Sequence, residues 1–183
     1  MMVNNDFVSD SIQQLRDIEQ RSYRAGARLS QQNEQNSVWT AIDFQINQKN
    51  YLIPLAAAKE IFPVPKPITS VPLAKPWVFG IANLRGELLP LFDLKCFLYG
   101  ETTMINKRSR ILVINYPNLY SGLLVEGVIG LKHFQTKPTM NSTPEDNHIA
   151  AYLDGSISQK DRSWDVFSFN KLASDQQFLN AAI

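Results

Sequence analysis

The chain has 183 residues, of which 44% are hydrophobic and 10% aromatic, and its formal net charge is +1. That composition supports a buried core, argues against disorder, and gives no long-range field toward nucleic acid or an anionic membrane. One cysteine excludes an internal disulfide, and neither a signal peptide nor an apolar run of about 20 residues is visible, so we expect a soluble, cytoplasmic protein without direct membrane insertion.

Residues 1–37 differ in pattern from the rest of the chain. Ile12, Leu15 and Tyr23 recur near the helical period and predict a short, weakly amphipathic helix. The polar stretch 31–37 has nothing to bury and predicts a linker. We therefore expect an N-terminal helical extension, docked on its own domain or on a partner, before the main domain at 38–183.

From Val38 onward, apolar residues mostly alternate with polar ones, which predicts β-strands. The expected strands lie at 38–46, 51–55, 110–114 and 123–125, with a final hairpin between Tyr152 and Phe169. Many short strands separated by turn signals indicate a mainly all-β barrel or sandwich.

Other segments break this pattern. The stretch 56–61 does not alternate and predicts an irregular or helical turn, and the prolines that follow it predict an extended edge segment: Pro63, Pro65 and Pro67. One helical turn is expected at 94–98. We expect a long surface loop over 132–148 and a last helix that Asn170 caps.

The segment Gly80–Leu94 predicts a hairpin. Its apolar run breaks at Arg85 and Gly86 and resumes at Leu88. Gly86 can adopt the positive φ that a two-residue hairpin turn often needs. Arg85 then stands at the mouth of the turn, where it is either a docking residue or a solvated turn residue.

The same segment resembles the signature of the CheW-like coupling domain of bacterial chemosensory systems. The matching positions are Gly80, Asn83, Leu84, Arg85, Gly86, Pro90, Asp93 and Leu94. Further segments resemble the family in its own order, at 58–61, 123–128, 152–155 and 169–172. The N-terminal extension and the approach at 75–78 look most like the PilI branch, which serves type IV pilus arrays.

The resemblance implies two small five-stranded SH3-like barrels that share a core, with an N-terminal helix and a short C-terminal helix. The strand count alone leaves a single larger barrel open. The resemblance also implies a non-enzymatic adaptor that binds the cytoplasmic tip of a methyl-accepting receptor and the regulatory domain of a CheA-like histidine kinase. Its expected setting is a receptor array at the inner membrane that controls twitching motility.

The resemblance also implies roles for individual residues. Arg85 corresponds to the signature arginine that faces partners, and Glu60 to the acidic residue that can pair with it. The apolar candidates for the receptor groove are Ala58, Ile81, Leu84 and Val125, although core packing explains Leu84 and Val125 equally well. Gly80 and Gly86 are assigned to turn geometry, and Asn83 and Asp93 to the scaffold, with Asp93 accepting backbone N–H bonds after its strand.

Three positions depart from the family pattern. Lys95 replaces the arginine common after Asp-Leu, Glu126 replaces a frequent aspartate, and Ala58 is smaller than the usual valine. The small side chain of Ala58 weakens the expectation that this position anchors a receptor.

Other functions find less support. The sequence predicts no catalytic, cofactor or metal residues, because no motif accompanies its cysteine and histidines, Cys96, His133 and His148. Small β-barrels also bind nucleic acid or other ligands, through a basic groove with stacking aromatics. A basic cluster and two tyrosines keep this alternative open beside a solvated loop: Lys107, Arg108, Arg110, Tyr116 and Tyr120.

Overall fold

The computed structural model describes residues 38–114, 116, 120–140 and 146–181. The predicted helix and linker at 1–37 lie outside the described residues, as does the end of the predicted last helix at Ile183. The unit Trp39–Ile183 is mainly β over its described residues, which confirms the predicted fold class.

Ten strands follow one another in the described residues: β1 Trp39–Ile46, β2 Lys49–Pro54, β3 Ala58–Pro63, β4 Val78–Leu84, β5 Glu87–Asp93, β6 Arg110–Ile114, β7 Gly122–Val125, β8 Gly127–Phe134, β9 Leu153–Gln159 and β10 Arg162–Phe167. The helical elements there are short: a 3-10 turn Leu55–Ala57, α1 Leu94–Tyr99, α2 Asn147–Ala150, α3 Phe169–Ala173 and α4 Gln176–Leu179. The predicted signature hairpin is confirmed as β4 and β5, and the predicted helical turn after it is α1.

The strands form two five-stranded sheets with the same internal arrangement. Barrel A has the order β8-β1-β2-β10-β9, and barrel B has the order β3-β6-β7-β5-β4. Each contains one parallel pair of strands, β2 with β10 in barrel A and β5 with β7 in barrel B. In each, an isolated bridge links the segment after one edge strand to the opposite edge strand, Thr139 to Ser156 in barrel A and Thr69 to Ile81 in barrel B. The same motif is therefore built twice.

The two barrels differ in how the chain enters them. Barrel B is continuous from β3 to β7, whereas barrel A combines β1 and β2 with β8, β9 and β10. Barrel B is thus inserted between two parts of barrel A. The connections between the barrels are the 3-10 turn Leu55–Ala57 and the single residue Glu126.

In the part of the chain that the structure describes, buried apolar side chains gather in three clusters. One fills barrel A, with Ala41, Leu52, Phe134, Ile157 and Val166. Another fills barrel B, with Ala82, Leu89, Leu91, Ile111, Val113 and Leu124. The third is shared by both barrels and the helices, and includes Ile42, Phe44, Leu112, Leu123, Val125, Leu172 and Phe178. Both faces of β6 are therefore buried, which explains its continuous apolar sequence.

Gly80 and Gly155 make the two bridges possible. They occupy equivalent positions in β4 and β9, and both have positive φ, at 141° and 131°. A Cβ on Gly80 would lie 2.7 Å from the carbonyl oxygen of Thr69, and a Cβ on Gly155 would overlap the backbone of Thr139. Glycine is required here because one backbone passes against another.

Two predicted loops are shorter than expected. The irregular turn predicted at 56–61 ends at Ala57, because β3 then pairs along β6 from Ala58. The loop predicted from residue 132 starts only after Phe134, which ends β8 and packs against Trp39 and Trp164. One buried aromatic after two polar residues gives no alternating pattern, so sequence alone did not reveal it.

The predicted last helix is two short helices. Ser168 caps α3, and Asp175 caps α4 by accepting backbone N–H groups, so Asn170 lies inside the first turn and the predicted cap is wrong. The carboxylate of Asp175 takes backbone donors that would otherwise continue a helix. Phe178 enters the core while Leu179 stays exposed.

Candidate partner-binding site

The turn between β4 and β5 is fixed by its own residues. Arg85 and Gly86 have φ of 54° and 92°, and two central residues with positive φ are typical of a tight hairpin turn. The side-chain oxygen of Asn83 accepts the N–H of Gly86 at 2.9 Å. This bond helps hold Arg85 in a backbone conformation that a residue with a Cβ adopts at a cost.

Arg85 pairs with Glu60 of β3, the opposite edge strand of barrel B. Its Nη2 donates to Oε1 of Glu60 at 2.7 Å, and the two side chains are 77% and 28% exposed. The pairing expected from the resemblance is therefore present. Such an exposed pair adds about 0–1 kcal/mol to stability, so its main effect is to orient the guanidinium outward from the hairpin.

The pair borders a pocket of about 220 Å³. Its lining includes Lys59, Leu84, Glu87 and Tyr120, and the Lys59 ammonium lies 5.0 Å from the centre of the Tyr120 ring. Burial, and then the nearby Glu87 carboxylate, raise the pKa of Tyr120. The surface around Arg85 thus carries both signs of charge around one aromatic ring.

The apolar candidates do not form one surface. Ala58 is half-buried and packs toward the shared core, and Leu84 is half-buried and packs on the barrel B interior while also lining the pocket. Ile81 is half-buried on the opposite face of β4 from the buried Ala82. Val125 is 1% exposed inside the shared core, so its assignment to a contact surface is corrected to core packing.

Asp93 fixes the loop after α1. Its carboxylate is buried and accepts the Cys96 N–H at 3.1 Å, and it accepts both the N–H and the hydroxyl of Thr103 at 2.7 Å. The backbone bonds expected of Asp93 are therefore present. Gly80, expected to serve turn geometry, lies instead within β4, where the close approach of Thr69 requires it.

Chemistry at Cys96 finds no support in its surroundings. The thiol is buried, and burial together with the Asp93 charge raises its pKa, whereas a nucleophilic cysteine needs a lowered pKa. His133 shares a hydrogen bond with the Thr40 hydroxyl at 3.0 Å, and the His148 ring packs at a tilt of 42° against the Tyr99 ring. Within the described residues, no cluster of three or more acidic, histidine or cysteine side chains could hold a metal. No helix there is long and apolar enough to span a bilayer.

Comparison with known proteins brings the fold and the signature together. Residues 40–177 match the CheW-like domain. The chain belongs to the CheW-like family. Protein PilI of Pseudomonas aeruginosa is 33% identical over 177 residues, which cover 96% of this chain and 98% of that protein. Chemotaxis protein CheW of Helicobacter pylori is 30% identical over 141 residues, 74% of this chain and 83% of that protein.

A solved CheW structure has the same fold. The scaffolding protein TtCheW of Thermoanaerobacter tengcongensis aligns with a TM-score of 0.63 at 22% identity, covering 72% of this chain and 85% of that one. The match to PilI is longer than the CheW-like domain itself and takes in most of residues 1–37. The resemblance to the CheW-like family and to its PilI branch is thereby confirmed.

Lys95 and Glu126, two of the positions that depart from the CheW-like pattern, form a salt bridge. The Lys95 ammonium lies 3.5 Å from the Glu126 carboxylate and 3.3 Å from that of Glu101. Burial opposes the charged form of Lys95, but the two carboxylates outweigh it and raise its pKa. Glu126 also accepts the Gln48 N–H, so it ties both barrels at their junction. Glu126 is one methylene longer than the aspartate that the resemblance implied at this position, and in this chain it reaches the Lys95 ammonium.

Proposed function

We propose that this chain is a non-enzymatic adaptor in a chemotaxis-type pathway. It couples the cytoplasmic tip of a methyl-accepting receptor to the regulatory domain of a CheA-like histidine kinase, in the cytoplasm at receptor arrays. Membership of the CheW-like family supports the adaptor role. The near full-length similarity to PilI supports an output in type IV pilus twitching motility.

The observation that carries this proposal is the exposed Arg85–Glu60 pair. The guanidinium is fixed at a hairpin tip on a β-scaffold, and arginine at such a place is a frequent interface anchor because its fork of donors suits carboxylates and carbonyls. The pair contributes little to folding. We therefore assign it to binding, with Glu60 orienting Arg85 until a partner carboxylate or carbonyl replaces part of that contact.

The remaining surface residues support the same role. Lys59, Glu87 and Tyr120 surround the pair, and an arginine and an aromatic ring within a polar rim are typical of protein interfaces. Signalling contacts of this kind are small. A coupling of about 1–3 kcal/mol between two sites is enough for regulation.

The test compares two hairpin tips of one protein. Arg85→Ala is expected to weaken binding to a purified receptor tip or kinase regulatory domain by about tenfold, while the unfolding free energy changes by less than about 1 kcal/mol. Lys160→Ala is the matched control, because Lys160 occupies the equivalent turn of barrel A with φ of 55°. Biolayer interferometry at fixed salt gives both affinities.

Equal affinity of Arg85→Ala and wild type for both partners would refute the assignment of Arg85. Equal losses in both variants would show a general charge effect instead of a site. A Glu60→Gln variant adds a further check, because it keeps the shape of the acceptor and removes its charge.

A further inference from the structure

A second pocket lies at the opposite end of barrel B from Arg85. In the register of β3 with β6, Glu60 lies opposite Val113 at the end near Arg85, whereas Pro63 lies opposite Arg110 at the other end of these two strands. This second pocket has a volume of about 600 Å³, within the range of preformed binding pockets. Its apolar lining comprises Val64, Ile68, Phe79 and Ile105, and the first three also pack against the barrel B interior.

The charge around this pocket has one sign. Lys66, Lys107 and Arg110 line it, and no carboxylate stands among the described residues of its lining. The Arg85 surface differs, because Glu60 and Glu87 balance its cations. A pocket with an apolar floor and a cationic rim attracts an anionic ligand that also carries an apolar group.

The loop that carries this charge is held in place. The buried Asp93 fixes Thr103, the Ser109 hydroxyl accepts the Asn106 N–H at 3.0 Å, and Nη1 of Arg110 donates to the Lys107 and Ser109 carbonyls at 2.8 Å each. A preorganised rim loses less entropy on binding.

Apolar surface extends beyond the pocket. Met104 is 86% exposed and Ile105 is 50% exposed on the same fixed loop. A small molecule inside the pocket would leave Met104 in water, whereas a polypeptide crossing the rim would cover it. The extent of the exposed apolar surface therefore favours a protein segment.

Two prolines in the lining of the pocket limit how such a segment can be recognised. Pro63 and Pro65 line the pocket and have no N–H, so the backbone there cannot pair with an added strand. Recognition must come from side chains in the pocket and charges at the rim.

Nucleic acid fits this surface less well. Arg110 begins β6, while Tyr116 and Tyr120 follow its other end, about 13 Å away at 3.3 Å per residue. The Tyr120 ring lies under Lys59 beside the Arg85 pocket. The basic cluster therefore lacks the interleaved aromatics that stack bases in single-strand sites.

We propose that this basic-rimmed pocket docks an acidic segment of a partner protein that carries one apolar side chain. The apolar side chain lies against Val64, Ile68 and Phe79, and its flanking carboxylates meet Lys66, Lys107 and Arg110. This surface is separate from the Arg85 site, so the adaptor binds through both ends of barrel B.

The test uses the full chain and a labelled peptide, Asp-Glu-Leu-Glu-Asp, with the peptide Asn-Gln-Leu-Gln-Asn as the neutral match. Fluorescence anisotropy is expected to show binding of the acidic peptide that weakens with salt and is lost at least tenfold in Lys66→Glu/Lys107→Glu. Ile105→Ser, which leaves every charge in place, is expected to weaken binding about threefold. Lys160→Glu removes an exposed lysine of barrel A and serves as the control.

Several outcomes would overturn the proposal. They are equal binding of the two peptides, unchanged affinity in the double variant, or an equal loss in the Lys160→Glu control. Competition by a single-stranded oligonucleotide but not by unlabelled acidic peptide would assign the pocket to nucleic acid. Binding of decanoate with the expected variant pattern, without peptide binding, would assign it to a small amphipathic anion. The Arg85→Ala variant should bind the peptide normally, which separates this test from that of the proposed function.

Discussion

Replacing Gly80 by alanine tests whether the signature glycine serves barrel closure. The new Cβ would lie 2.6 Å from Cγ2 of Ile68 and 2.7 Å from the Thr69 carbonyl oxygen, at a φ of 141°. Positive φ costs a non-glycine residue about 1–3 kcal/mol, and forced overlap adds about 1–3 kcal/mol. We expect Gly80→Ala to lose about 2–6 kcal/mol in unfolding free energy, a large part of the stability of an ordinary domain.

Gly86→Ala is the matched control for this substitution. Gly86 also has positive φ, at 92°, but a Cβ added there would meet no atom within 4 Å, so its alanine variant should lose only about 1–2 kcal/mol. Urea denaturation of both variants, followed by tryptophan fluorescence, gives the difference. Equal losses would refute the argument, because strain at positive φ would then explain both and the approach of Thr69 would not matter.

The remaining predictions concern two polar contacts. Lys95→Ala should lower the unfolding free energy by about 1–2 kcal/mol. Lys95→Arg combined with Glu126→Asp should lower it by less than about 0.5 kcal/mol, because the shorter acid then meets a longer cation. Urea denaturation measures both, and a double variant less stable than Lys95→Ala would contradict this compensation. The Tyr152 hydroxyl, followed by backbone N–H groups, lowers the pKa of Asp175. The stability from that bond is present above the unfolded pKa of about 4 and is lost as pH falls through the lower folded pKa. Tyr152→Phe should therefore be destabilised at pH 6, and its difference from wild type in unfolding free energy should narrow as the pH falls below about 4; a pH-independent difference would disprove this link.

Local patterns predicted the parts of the structure that local residues determine. The hairpin around Arg85 and Gly86 followed from an apolar run broken at a turn pair, and the bonds of Asp93 followed from its place at the end of a strand. Each depends on residues within about ten positions along the chain. Turn geometry and capping act over such distances.

Contacts between distant segments were beyond the reach of those patterns. Val125 could be assigned to a surface or to the core, because its burial depends on the shared core, to which residues far apart along the chain contribute. Tyr120 stood beside a basic cluster in sequence, yet it lies with Lys59 in the Arg85 pocket, at the opposite end of barrel B from that cluster. Phe134 was missed because its partners, Trp39 and Trp164, come from strands far along the chain. Side-chain alternation gives the two faces of a strand but not which neighbours cover them.

The insertion of the barrel B segment between two segments of barrel A along the chain has a mechanical consequence. The two barrels are joined by a turn of three residues, Leu55–Ala57, and by the single residue Glu126, which are too short to act as flexible linkers. A shared apolar core also packs between the two barrels. A force applied to one barrel must then move both barrels together as a rigid body. Signals that cross such a spacer travel as changes of position among its neighbours, not as changes of shape within it.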